Sequence, residues 1–208
     1  MTGRIVIDLF SSLDGVVQAP GGPDEDPSGG FTLGGWQAPL FDTTVGEQVM
    51  AGMAEMDALL LGRRTYDIFA GYWPHQDERD VEIAHTFNRI PKYVVSRGAP
   101  DLSWRGSSQL GPDLAAEVAA LRERHACVHV VGSAELARTL VAEGLFDVLN
   151  LWVYPVVLGA GKRLFPDDGP ALGLELLEPP SSGGTAVLLR YGPGGPVRTG
   201  DMAADPRP

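Results

Sequence analysis

A glycine followed at once by two arginines and a threonine, Gly62-Arg63-Arg64-Thr65, carries the clearest chemistry in the sequence. The preceding Leu59-Leu60-Leu61 reads as a short apolar strand, and the residues after it read as a helix. A helix start offers unpaired backbone N–H groups and a partial positive charge, a combination that favours phosphate. Two guanidiniums add planar, permanently charged forks matched to phosphate oxygens. The chain is otherwise acidic, with 16 Lys and Arg against 27 Asp and Glu and a net charge of −11, so a local arginine pair stands out as an anion site. The competing reading is that Arg63 and Arg64 are solvated surface charges.

Strands and helices must position these groups, and they alternate along the chain. Residues 4–10 form a buried strand that ends in the turn Ser11-Ser12-Leu13-Asp14-Gly15. Residues 19–39 are a glycine-rich loop with an acidic patch at Asp24-Glu25-Asp26, the pattern of a binding loop or a lid. A helix over 43–56 follows, then a strand over 57–62, a helix over 64–71 and a short helix within 79–90. A strand covers 92–96, and Gly111-Pro112-Asp113 opens a helix with proline in its first position. A strand covers 128–132, Ser133 caps the next helix, and a long apolar strand runs over 147–158. Residues 174–177 and 185–191 read as a closing antiparallel pair. The fold class is therefore α/β: a mixed, mostly parallel central sheet flanked by helices on both faces, with a C-terminal antiparallel strand pair. One domain covers 2–192, and the Gly/Pro-rich tail 193–208 is expected to be disordered.

Composition narrows the partners. The 208 residues, 44% hydrophobic and 21% charged, are ordinary for a globular domain. The acidic balance argues against nucleic acid or an anionic membrane as the main partner, and leaves room for an anionic small molecule. A single cysteine, Cys127, excludes an intramolecular disulfide and a Cys-x-x-Cys zinc site, and it reads as a buried structural thiol. The four histidines lack metal-ligand spacing, so no metal is expected. No signal peptide is evident and no apolar stretch approaches the roughly 20 residues that span a bilayer, so the expected location is cytoplasmic.

Six segments occur in order: Ser12-Leu13-Asp14-Gly15, Leu61-Gly62-Arg63-Arg64-Thr65-Tyr66, Val94-Val95-Ser96-Arg97, Val130-Val131-Gly132-Ser133-Ala134-Glu135-Leu136, Gly144-Leu145-Phe146-Asp147, and the stretch from Pro155 to Phe165. Together, over residues 3–191, they resemble the dihydrofolate reductase-like superfamily. Within it they are most similar to stand-alone bacterial proteins related to the reductase domain of riboflavin biosynthesis. The resemblance implies NADPH across the carboxyl ends of the strands. It would place the pyrophosphate and 2′-phosphate on Gly62, Arg63, Arg64 and Thr65, with Ser96 and Arg97 completing the 2′-phosphate site. Gly132, Ser133, Ala134, Glu135 and Leu136 would cradle the pyrophosphate at a second helix start. Family members have two adjacent glycines there, joined by a cis peptide. Ser133 replaces the second, and a cis bond before it would cost about 3 kcal/mol. Arg97 has an alternative role as a surface charge in a turn. Gly159-Ala160-Gly161-Lys162 lacks P-loop spacing and reads as a structural turn.

The reacting end is less defined. By resemblance, Asp42 is the candidate catalytic acid or substrate anchor, but an aspartate before Thr43-Thr44 equally caps a helix. Asp14, Trp36, Phe69 and Trp73 are candidates for the substrate pocket, with turn formation and plain core as their other roles. Trp152 stands where dihydrofolate reductases carry a small hydroxyl residue, which argues against dihydrofolate. The implied function is an NADPH-dependent reductase of a pyrimidine- or pteridine-like heterocycle, resembling 5-amino-6-(5-phosphoribosylamino)uracil reductase. The nearest cations for a substrate phosphate are Lys162 and Arg163. One cysteine cannot supply the zinc deaminase signature of the bifunctional enzyme. The alternative is a non-catalytic protein that binds a nucleotide or flavin on the same fold. Relatives are often homodimers, and the apolar strand at 149–157 is a candidate interface.

Overall fold

The apolar runs at 4–12, 58–62 and 127–131 pair into one sheet because each buries both of its faces. In the computed structural model, which describes residues 2–77, 81–182 and 184–201, the strands are β1 (Arg4–Ser12), β2 (Ala58–Gly62), β3 (Lys92–Val95), β4 (Ser107–Gln109), β5 (Cys127–Val131), β6 (Val148–Tyr154), β7 (Gly173–Leu176), β8 (Ser181–Ser182) and β9 (Val187–Gly195). Their order is β4-β3-β2-β5-β1-β6-β9-β7, with β8 paired to β9. Every pairing from β4 to β6 is parallel, and those made by β9 are antiparallel. This is the mixed sheet the sequence implied.

Alternation along the strands divides the core in two. Ile5, Ile7 and Leu9 of β1, with Val128 and Val130 of β5, pack beneath α4 (Leu114–Arg124) and α5 (Ala134–Ala142). Leu59 and Leu61 of β2, with Trp152 and Tyr154 of β6, pack against α1 (Thr43–Gly52), α2 (Arg63–Tyr72) and α3 (Glu82–Arg89).

Several boundaries differ from the sequence reading, each for a local reason. Helix α1 stops at Gly52 rather than continuing to Met56. Strand β6 ends at Tyr154 because Pro155 has no N–H to give the ladder. Asp113 itself caps α4, accepting from Ala116 N at 3.0 Å, so Pro112 lies before the helix. The polar strand β4 has no apolar alternation to announce it and exists by pairing with β3. Strand β9 continues to Gly195 because β7 pairs with it that far, and residues 202–208 of the expected tail lie outside the described residues. Strand β6, the candidate interface segment, runs inside the sheet between β1 and β9, and Val157 beyond its end is 70% exposed. No described helix is long and apolar enough to cross a membrane.

One polar group of the core was not anticipated. Asp8 and His129, both buried, meet at 2.6 Å through Oδ2 and Nδ1. Asn150 Nδ2 donates to Asp8 Oδ1 at 2.8 Å, and His129 Nε2 lies 3.3 Å from Cys127 Sγ. Burial alone would push the imidazole pKa down, but the hydrogen bonds to Asp8 and Cys127 outweigh it and raise it to about 9.

Between the ordinary value of 6.5 and about 9, native His129 keeps a proton that the unfolded chain has released. Its stabilising contribution is therefore complete below pH 6.5 and is lost as pH rises through 9. Urea unfolding at pH 6.0, 7.5 and 9.5 should show stability falling by on the order of 2–3 kcal/mol more in the wild type than in His129→Gln. Parallel pH profiles of the two proteins would contradict this account of the pair.

Candidate functional site

Four parallel strands deliver their carboxyl ends to one cleft of about 1430 Å³. Phe10, Gly62, Val95 and Val131 bring β1, β2, β3 and β5 to it. Every residue expected to hold a dinucleotide lines this cleft: 62–65, 96–97 and 132–136. Phe69 and Trp73 line it as well, whereas Asp14, Trp36 and Asp42 do not.

Two strand-to-helix junctions are stitched together at its centre. Ser133 Oγ accepts from Gly62 N at 2.9 Å, and Ser133 N donates to Thr65 Oγ1 at 3.1 Å. The starts of α2 and α5 thus lie side by side, both directing their positive ends toward the cleft. The cis peptide that would be costly before Ser133 is not formed; the described residues contain none. Instead Gly132 and Ser133 both take left-handed backbone, at φ +65° and +56°. Ser133 makes no side-chain cap on α5, contrary to the sequence reading, because its hydroxyl faces Gly62.

The three arginines share the cleft but differ in their partners. Arg63 Nε lies 2.8 Å from Asp67 Oδ2, one helical turn on. Arg64 pairs with Asp26 of the glycine-rich loop, and Lys162 Nζ meets the other oxygen of the same carboxylate at 2.7 Å. Arg97 is exposed and has no acidic partner among the described residues. Its turn is held by Gln109 Nε2, which donates to Ser96 O and Gly98 O.

Asp26 is the site residue that the sequence reading missed. It is only 9% exposed, and burial works against its charge. Lys162, Ser28 and Arg64 prevail and hold the carboxyl down to about 2. The acidic patch was visible in the sequence, but nothing local marked which of its members turns inward. Glu25 also lines the cleft, and burial raises its pKa despite hydrogen bonds from Gly21 and Gly22. The loop itself is pinned. Gln18 Nε2 donates to Asp26 O and Ser28 O, and Trp36 Nε1 donates to Gln18 O. Gly161 closes the neighbouring turn at φ +131°, where a Cβ would sit 2.5 Å from Val16, so the 159–162 segment is a turn.

The remaining candidates have structural employment. Asp42 caps α1 through Val45 N at 2.9 Å and accepts from Thr185 N at 2.6 Å, and these bonds lower its pKa. The capping alternative is the one the structure shows. Asp14 accepts from Ser12 Oγ, Leu158 N and Gly159 N and is held well below the usual carboxylate range, as a turn organiser. Arg163 lies 3.5 Å from Asp14, outside the main cleft. Trp36 is buried against Tyr154.

With this geometry in hand, comparison with known proteins is informative. The RibD C-terminal domain family matches residues 4–187. The protein YyaP of Bacillus subtilis (strain 168), itself uncharacterized, is 26% identical over 195 residues, covering 90% of this chain and 94% of that one. A candidate riboflavin biosynthesis protein from Shewanella sp. PV-4 superposes with a TM-score of 0.70 at 17% identity, covering 91% of this chain and 98% of that one. Dihydrofolate reductase from Enterococcus faecalis, complexed with NADP(H), superposes with a TM-score of 0.58 at 13% identity, covering 93% and 98%. The fold is thus dihydrofolate reductase-like.

The junction makes a clear prediction for stability. Ser133→Ala keeps the left-handed backbone but removes the acceptor for Gly62 N, and should cost about 1–2 kcal/mol. Ser133→Gly loses the same bond but relieves about 1 kcal/mol of left-handed strain, so it should lie near the wild type. Urea unfolding of the two variants checks the order, and a glycine variant less stable than the alanine variant would contradict it.

Proposed function

The chain belongs to the RibD C-terminal domain family, and from that premise we propose that it is an NADPH-dependent reductase of a small heterocyclic, pyrimidine- or pteridine-like substrate. The observation that carries this reading is the meeting of two helix starts and three arginines in one cleft of an otherwise acidic protein. Backbone N–H groups at the starts of α2 and α5 would take the pyrophosphate. Arg97, with Arg63 lining the same cleft, would take the 2′-phosphate, and these cations favour NADPH over NADH. Gly132 suits the approach, since its open backbone leaves only Thr65 near the missing Cβ, at 3.6 Å. When bound, the cofactor supplies a hydride. The protein orients the acceptor and delivers a proton, for which Glu25 is the cleft carboxyl with raised proton affinity.

The reaction suggested by resemblance is reduction of 5-amino-6-(5-phosphoribosylamino)uracil. Its substrate phosphate would need a cation, and Lys162 is the cleft lysine, already paired with Asp26. A second reading has an observation behind it too. Asp42 is committed to capping and Asp26 to two cations, which suits a protein that binds a nucleotide or flavin without chemistry.

Thermal unfolding with NADPH and NADH tests the cofactor assignment. At about 100 times Kd, NADPH should stabilise by roughly 2.7 kcal/mol and raise Tm by roughly 5–10 °C. Arg97→Ala should weaken NADPH about tenfold and leave NADH unchanged. Equal shifts from both dinucleotides would refute the 2′-phosphate site. Loss of absorbance at 340 nm with a candidate heterocycle separates reductase from binder.

A further inference from the structure

Two cations of the cleft are held by a carboxylate whose charge the glycine-rich loop does not need for its own fold. Neutral bonds already fix the backbone of that loop. Gln18 Nε2 donates to Asp26 O and Ser28 O, and Gln18 Oε1 accepts from Lys162 N at 2.9 Å. Gly35 N donates to Ala19 O at 2.8 Å, and Gln37 N donates to Pro20 O at 3.2 Å. The Asp26 side chain adds a local turn, accepting from Ser28 Oγ at 2.6 Å and from Ser28 N at 3.2 Å. A neutral asparagine can accept both of those bonds. The negative charge itself is directed at Arg64 and Lys162.

Stability is a weak reason for that arrangement. Taking a carboxylate and its cations out of water costs about as much as their attraction returns. The position of the cations gives a better reason. Arg64 is the second residue of α2, and helix side chains tilt back toward the N-terminus. Its guanidinium, 56% exposed, would otherwise reach over an anion resting on the first N–H groups of the helix. Lys162 lines the same cleft from the turn after β6. Without Asp26, both cations would add to the two helix starts and attract any small polyanion. With it, they face an internal anion that a ligand must first displace.

We propose that Asp26 sets the anion selectivity of the cleft by withholding Arg64 and Lys162 from the phosphates of the ligand. The inference rests on the reading of the α2 and α5 starts as a phosphate site, and it deepens that reading. Backbone N–H groups, Arg63 and Arg97 recognise the dinucleotide, and Arg64 does not. Asp67 does not withhold Arg63 in the same way, because that pair is exposed and open to exchange.

Calorimetric titration of the full chain with inorganic pyrophosphate tests this, alongside the NADPH-induced rise in Tm. Asp26→Asn should bind pyrophosphate about tenfold more tightly than the wild type at low ionic strength. The gain should shrink at high ionic strength, where the freed cations are screened. Adding Arg64→Gln to Asp26→Asn should remove most of it. In the wild-type background, Arg64→Gln should change pyrophosphate affinity by less than about threefold, since the guanidinium is already occupied. That arm decides the matter even if Asp26→Asn does not fold. A purely structural Asp26 predicts instead that Asp26→Asn lowers Tm and binds pyrophosphate no more tightly. That result, a loss of about tenfold from Arg64→Gln alone, or no pyrophosphate binding by either protein overturns the proposal. If NADPH stabilises the wild type while Asp26→Asn gains nothing, only the role of Asp26 is wrong. If Asp26→Asn gains affinity for pyrophosphate and NADPH stabilises neither protein, the reductase reading fails and the withheld cations stand.

Discussion

Strands β2 and β5 run parallel and hydrogen-bonded, although they come from distant parts of the chain, and the site depends on that pairing. It sets the ends of both strands at one level, so α2 and α5 begin beside each other. Ser133 completes the arrangement by bonding Gly62 and Thr65, residues about 70 positions away in sequence. A helix start alone is a weak anion site. Two of them held side by side by a serine in left-handed backbone, with arginines on the rim, make a concentrated positive region.

That region is balanced internally by carboxylates. Asp67 neutralises Arg63 along the helix, and this exposed pair is worth at most about 1 kcal/mol, so an incoming phosphate can compete for the guanidinium. Asp26 differs because it is largely buried and bridges two cations from separate elements. It ties the glycine-rich loop to α2 and to the turn after β6. Together with Gln18 and Trp36, it makes the loop a packed wall of the cleft. The electrostatics of the cofactor end and the placement of this loop are therefore one problem. The apolar end is built separately, from the same face of the sheet that buries Trp152 and Tyr154.

Much of the fold was legible because it is written in short-range patterns. Apolar runs marked β1, β2, β5 and β6, and turn residues marked most helix boundaries. The errors fell where local cues are silent. Strand β4 is polar and owes its existence to β3, and Pro155 ended a strand that hydropathy alone would extend. Asp42 shows the limit for side chains: an aspartate before a helix fits both a cap and an active-site acid. The structure shows the cap because Val45 N and Thr185 N take its oxygens.

The sequence by itself determined the alternation of strands and helices, the glycine–arginine junction and the acidic background, since each depends on neighbours a few residues apart. Only the tertiary structure decided that His129 would meet Asp8, that Asp26 would turn inward between Arg64 and Lys162, and that Gln37 would reach Tyr154. Those partners lie 38 to 136 residues apart. Their meeting follows from strand order and register, and the preference of a buried polar group for a partner does not say which partner it will be.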